Sequence, residues 1–199
     1  MSISNLRARG ACLAGDNDIS LTDVIPTALG AVTPSLACAR PDLARRLAMP
    51  SADAVVVILV DGLGLLPLQE HLGHARTLRS FRDSIEAAYS VVPSTTAAGI
   101  TACGTGQLPG RTRMVGYSVF HGGQIFNLLA FTEGIDPAHW QQCPTYFEEL
   151  RELGIQSATI LPAKFAGSGL TTAALRGAHF VPATGWDERC DAAVTELKQ

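Results

Sequence analysis

Two short stretches hold the residue types that could do chemistry. The first ends in Asp61-Gly62-Leu63-Gly64, directly after the apolar run Ala54 to Val60. A carboxylate at the end of a buried strand is placed to hold a cation, because ligands of open α/β sheets bind outside the carboxyl ends of strands. The two glycines let a backbone come close. The bland alternative is that Asp61 caps a helix starting near Gly64. The second stretch is Pro93-Ser94-Thr95-Thr96-Ala97-Ala98-Gly99. Here three hydroxyls precede a small-residue helical segment. A hydroxyl at a helix start lies among amide N–H groups and the positive end of the dipole, which suits a phosphate. It becomes a nucleophile when a metal lowers its pKa. An ordinary N-cap is the competing reading.

These residues need elements to position them. Ala54 to Val60 is a continuous aliphatic run, as expected of a strand covered on both faces in a parallel sheet. A second strand is expected over Ala87 to Val92, stopped by Pro93, with a helix over Ala97 to Cys103 closing at Gly104 and Gly106. Upstream, a helix is expected from near Thr22 to Val32, with Pro26 in its first turn, and a short one over Leu43 to Leu47. Leu65 to Leu72 reads as a helix. Gly116 to Phe120 and Gln124 to Phe131 read as a hairpin turning at Gly122-Gly123. Pro144 to Leu153 reads as an amphipathic helix stopped by Gly154. Further on, strands are expected over Ile155 to Leu161 and at His179 to Val181, and helices over Leu170 to Leu175 and Asp187 to Leu197. Alternation of strands and helices predicts an α/β fold with a mainly parallel sheet flanked by helices.

The order of these motifs resembles the alkaline phosphatase superfamily. Val55 to Gly62 is similar to its first metal-binding strand. Val92-Pro93-Ser94-Thr95-Thr96 is similar to the nucleophile turn of its nucleotide pyrophosphatase/phosphodiesterase branch. In that branch the nucleophilic Thr lies three residues after Pro, which implies Thr96. Thr101 to Gly106, Leu108-Pro109-Gly110 and Val115-Gly116 follow the same pattern loosely. The resemblance spans Val55 to Tyr117. It implies an alkaline-phosphatase-like fold and two divalent metal ions, usually zinc. Asp61 is then a ligand of one ion and the Thr96 oxygen a ligand of the other. The implied reaction is hydrolysis of phosphodiester or pyrophosphate bonds through a covalent Thr intermediate.

Two departures from the family pattern stand out. Tyr117 occupies the place where the branch often has an Asn that binds a phosphoryl oxygen, so Tyr117 is expected to take up substrate binding with its one phenolic donor. The later Asp-x-x-x-His, Asp-His and His ligand motifs are not found. Asp136 and His139 are only three apart, and His71, His74, His121 and His179 stand in no ligand pattern. The chain is therefore expected to be the amino-terminal portion of one catalytic domain, with residues 1–50 a helical lead-in and 54–199 an incomplete α/β core. Its carboxyl-terminal remainder is the expected partner, and the chain by itself is expected to be inactive. Two other readings compete: a nucleotide- or adenosylmethionine-binding module built on Gly62-Leu63-Gly64, and a non-catalytic half-domain that needs a partner segment.

Composition bounds these readings. The chain has 199 residues, 47% hydrophobic and 17% charged, which favours a packed aliphatic core over disorder. With a net charge of −3 and no basic run, nucleic acid is not an expected partner. No apolar run approaches a membrane span. The five cysteines are scattered and form no CxxC pair, which fits a reducing compartment. No secretory leader is recognisable, so a cytoplasmic location is expected. The family resemblance, not the composition, implies a small-molecule phosphodiester or nucleotide as the substrate.

Overall fold

The structure is a computed structural model that describes residues 18–132 and 134–198. Its α-helices, in chain order, are α1 (Val24–Val32), α2 (Pro41–Arg46), α3 (Leu65–His71), α4 (Arg76–Ser80) and α5 (Thr96–Thr105). They continue with α6 (Pro109–Thr112), α7 (Pro137–Trp140), α8 (Tyr146–Glu152), α9 (Gly169–Leu175) and α10 (Trp186–Glu196). The strands are β1 (Ser118–His121), β2 (Gln124–Asn127), β3 (Ala158–Leu161) and β4 (His179–Pro182). The described chain forms two compact units, one containing residues 58–89 and the other residues 21–57 and 90–198.

The smaller unit is built of α3, α4 and a 3₁₀ turn at Arg82–Ser84, and none of these elements buries a residue. Among the described residues its β contact is a parallel bridge between Ser20 and Tyr89, where Tyr89 N–H donates to Ile19 O at 2.8 Å. The strand expected over Ala87 to Val92 is thus reduced to a single bridge. The strand expected over Ala54 to Val60 is not formed. Its residues belong to no sheet, and Val55 to Val60 are 40–70% exposed. A strand apolar on both faces is held only where both edges find backbone partners and both faces are covered. No described strand offers either. The fold is mixed α/β, and the mainly parallel sheet expected for it is corrected to one parallel pair, β3–β4, with Ala158 opposite His179 and Leu161 opposite Pro182.

The larger unit carries the core. β1 and β2 pair antiparallel, with Phe120 opposite Ile125 and Val119 opposite Phe126. The two-residue turn between them needs positive φ at both positions, and Gly122 and Gly123 supply +59° and +84°. Alternation sends Phe126 inward to 1% exposure and leaves Ile125 outside at 73%. Phe126 joins Ala97, Met114, Leu128, Phe131 and Ala173 in the main apolar cluster. Gly169, the first residue of α9, makes room for that cluster. A Cβ there would meet the Phe131 side chain at 2.5–2.8 Å.

The small side chains of α5 let neighbours approach closely, and eight of its ten residues are buried. Gly106 ends it in the left-handed conformation at φ +65°. Burial in this helix pushes the Cys103 thiol from an ordinary value near 9 up to about 11. Its folded value lies above its unfolded one, so the contribution to stability is intact below pH 9 and is lost as pH rises through about 11. Helix α8 begins with a capping box. Thr145 Oγ1 accepts from Glu148 N–H at 3.1 Å, and Glu148 Oε2 accepts from Thr145 N–H at 3.0 Å. Glu148 Oε1 also accepts from Arg176 Nε at 2.9 Å, which ties α8 to the end of α9.

Candidate active site

Thr96 is the first residue of α5. The preceding residue, Thr95, is extended (φ −102°, ψ 157°) and takes the N-cap position, with no capping bond from its side chain. Its hydroxyl oxygen is buried with no hydrogen-bond partner. Thr95, not Thr96, thus holds the N-cap position, and Thr96 is the first residue inside the helix. The Thr96 Oγ1 to Tyr117 Oη distance is 3.1 Å, a hydrogen bond that either group can donate. Ser94 is exposed, Thr96 half-buried and Tyr117 51% exposed, so the pair faces solvent at the helix start.

The contact is set by elements on both sides. Ala97, next to Thr96, is fully buried against the cluster of Met114, Phe126 and Leu128. Its methyl group lets the hairpin sit against the first turn of α5. Tyr117 leads directly into β1, and its carbonyl accepts from Leu128 N–H at 2.8 Å, extending the β1–β2 ladder by one bond. Helix and hairpin thus hold the two hydroxyls in register. The amide groups of an open helix start and the positive dipole end, together with a phenol, form a donor set for phosphoryl oxygens.

Asp61 follows the extended Val55–Val60 run and starts a turn in which Gly62 has φ +76°. The N-cap of α3 is Gly64, so Asp61 does not cap that helix. Its carboxylate is exposed and belongs to the smaller unit, whereas Thr96 and Tyr117 belong to the larger one. Among the described residues, no group of three or more His, Cys, Asp or Glu side chains could hold a metal ion. A zinc ion takes three or four protein ligands. The described donor set, Asp61 and the Thr96 hydroxyl, does not by itself fit a two-metal centre.

The structure also uses residues that the sequence reading passed over. Gln141 is fully buried; its amide donates to Ala173 O at 2.7 Å and to Cys143 O at 3.0 Å, and its carbonyl accepts from Cys143 N–H at 2.6 Å. Trp140 donates through Nε1–H to Arg113 O at 3.2 Å and lies edge-on to His121, with ring centroids 5.1 Å apart. A hydrophobic-period reading assigns glutamine to the surface, and no local motif marks Gln141 as buried.

Comparison with known families identifies the class of protein that this helix-start site belongs to. The family model for type I phosphodiesterase / nucleotide pyrophosphatase matches residues 55–197. The chain belongs to that family. The match includes Asp61, Thr96 and Tyr117, and it begins at the apolar run that the sequence reading singled out. No curated protein and no solved structure matches the chain. Among the described residues, no helix is long and apolar enough to cross a membrane.

Proposed function

We propose that the protein hydrolyses phosphodiester or pyrophosphate bonds of small molecules, with Thr96 as the nucleophile. The observation that supports this most directly is the Thr96–Tyr117 contact at the start of α5. Family membership supports phosphoester chemistry. Attack by Thr96 Oγ1 on phosphorus forms a Thr–phosphoryl bond and releases an alcohol from a diester, or a phosphate from a pyrophosphate. Water then cleaves the covalent intermediate. Tyr117 donates to a phosphoryl oxygen in the place where the family often uses an amide side chain, and the α5 amide groups carry the rest of the developing charge.

A threonine hydroxyl is weakly nucleophilic unless activated. Two divalent ions, zinc by expectation, are proposed as cofactors, with Asp61 a ligand of one and Thr96 of the other. Their remaining ligands come from outside the described residues, in the carboxyl-terminal remainder proposed to complete an alkaline-phosphatase-like domain. On this reading the location is cytoplasmic.

Trapping the intermediate tests the nucleophile. The full gene product, mixed with a diester substrate and quenched in acid, should yield a peptide modified at Thr96 by mass spectrometry. Modification of Ser94 or of another residue would overturn the assignment. Replacing Tyr117 by Phe removes one donor and leaves the ring. The expected result is a fall in kcat of about 10- to 100-fold, in the range for one oxyanion donor. An unchanged kcat would remove Tyr117 from the reacting site.

A further inference from the structure

A cavity with unassigned charge lies in the larger unit, at the far end of α5 from Thr96. Its volume is about 330 Å³, and its walls include Thr105, Gln107, Arg111, Arg113, Gln142 and Glu149. Thr105 is the last residue of the ten-residue α5 and Thr96 is the first. At 1.5 Å per residue they are about 14 Å apart, so this cavity is separate from the Thr96 hydroxyl. The size suits a small metabolite, since ligand pockets start near roughly 300 Å³.

Two arginines dominate its chemistry. The ion pairs among the described residues are made by Arg40 and Arg176, and neither Arg111 nor Arg113 takes part in one. The backbone that carries them is tied at both carbonyls. Cys143 Sγ–H donates to Arg111 O at 3.7 Å, and Trp140 Nε1–H donates to Arg113 O at 3.2 Å. Between them, fully buried Thr112 accepts from Met114 N–H at 3.3 Å through its hydroxyl. Arg113 itself sits at φ +62°, a left-handed conformation that residues with a side chain rarely adopt. These bonds fix the backbone from which the two guanidiniums extend. The end of α5 opposes an anion by about half an elementary charge, and Glu149 by one. Two guanidiniums outweigh them, and Gln107 and Gln142 add neutral donors.

We propose that this cavity binds a phosphorylated small molecule, with the phosphate between Arg111 and Arg113 and a hydroxyl or amino group of the same molecule on Glu149. Guanidinium forks match phosphate oxygens in pairs, and Glu149, whose carboxylate also bonds the Cys38 thiol, supplies an acceptor for the ligand's other end. The site does not depend on Thr96 being the nucleophile.

The test is a titration of the full chain with adenosine 5′-monophosphate and, separately, with inorganic phosphate. The readout is the Arg Nε–Hε NMR resonances of Arg111 and Arg113, assigned from the Arg111→Gln and Arg113→Gln variants. Both resonances should shift saturably with either probe. Arg113→Gln should weaken binding at least tenfold as seen at Arg111, and Glu149→Gln should weaken the nucleotide but not the phosphate. Resonances that stay still up to millimolar probe, or an Arg111 titration indifferent to Arg113→Gln, would overturn the site. Equal effects of Glu149→Gln on both probes would overturn the Glu149 contact. Both arginines are exposed, so the variants are expected to fold, and an unchanged thermal midpoint checks that.

Discussion

Thr96→Ala should lower diester hydrolysis by the full gene product about 10⁴-fold or more, as loss of a covalent nucleophile does. That corresponds to about 5 kcal/mol of lost transition-state stabilisation. The folded state loses far less. Thr96 is half-buried, and its hydrogen bond to Tyr117 is worth about 1 kcal/mol net. Unfolding therefore cannot account for a loss of that size, and the thermal midpoint should move by only a few degrees. Thr96→Ser keeps the oxygen and should retain activity within about 100-fold, an estimate for a nucleophile moved but not removed. The neighbouring hydroxyls separate position from chemistry. Thr95 Oγ1 is buried behind the helix start, so Thr95→Ala should cost less than about tenfold. If Thr96→Ala kept a tenth of the wild-type rate, the nucleophile would have to be sought elsewhere, with exposed Ser94 the first candidate.

The parts of this site that were legible in the sequence are those set by local rules. Gly122-Gly123 between two apolar runs specifies a hairpin turn, and the turn forms there. Small residues after Pro93 specify the helix that became α5; it runs through Gly104, one of the two glycines expected to close it, and ends at the other, Gly106. Gly154 likewise stops α8 near its expected limit, and α9 and α10 form within a residue of the ranges expected for them. The Ala54–Val60 run was legible as apolar but not as a paired strand. Pairing is a property of neighbours far away in the chain, and no described strand lies along it. Tyr117 was placed near Thr96 only through family resemblance. The structure supplies the physical cause, the packing of Ala97 under the hairpin, which no spacing rule encodes. Arg111 and Arg113 were invisible for a related reason. A cavity exists only after α5, α6 and the segment around Cys143 have come together.

Phe126→Ala should destabilise the larger unit by about 3–5 kcal/mol, the usual cost of emptying a buried phenylalanine site. The residue is 1% exposed and sits in the middle of the aromatic packing. Its ring meets Phe131 edge-on at 5.0 Å and Trp140 at a tilt at 5.1 Å between centroids. Relaxation is restricted, because Phe131 is wedged against Gly169 and Trp140 is tied to Arg113 O. The cavity therefore stays largely open, which favours the upper half of that range. For a chain of this size the thermal midpoint should fall by roughly 10 °C or more. The functional consequence follows from the hairpin. Phe126 pairs opposite Val119, and the same ladder carries the Leu128 N–H bond to Tyr117 O. A loosened hairpin releases Tyr117 from its 3.1 Å contact with Thr96. Well below its new midpoint, the variant should show a kcat close to that of Tyr117→Phe even though every site residue is present. Thermal unfolding followed by circular dichroism and diester turnover at low temperature check the two halves separately. A large drop in midpoint with kcat unchanged would show that the hairpin packs the core without positioning Tyr117. Phe126→Leu, which refills much of the volume, should then lie between the two in both measurements if packing is the link.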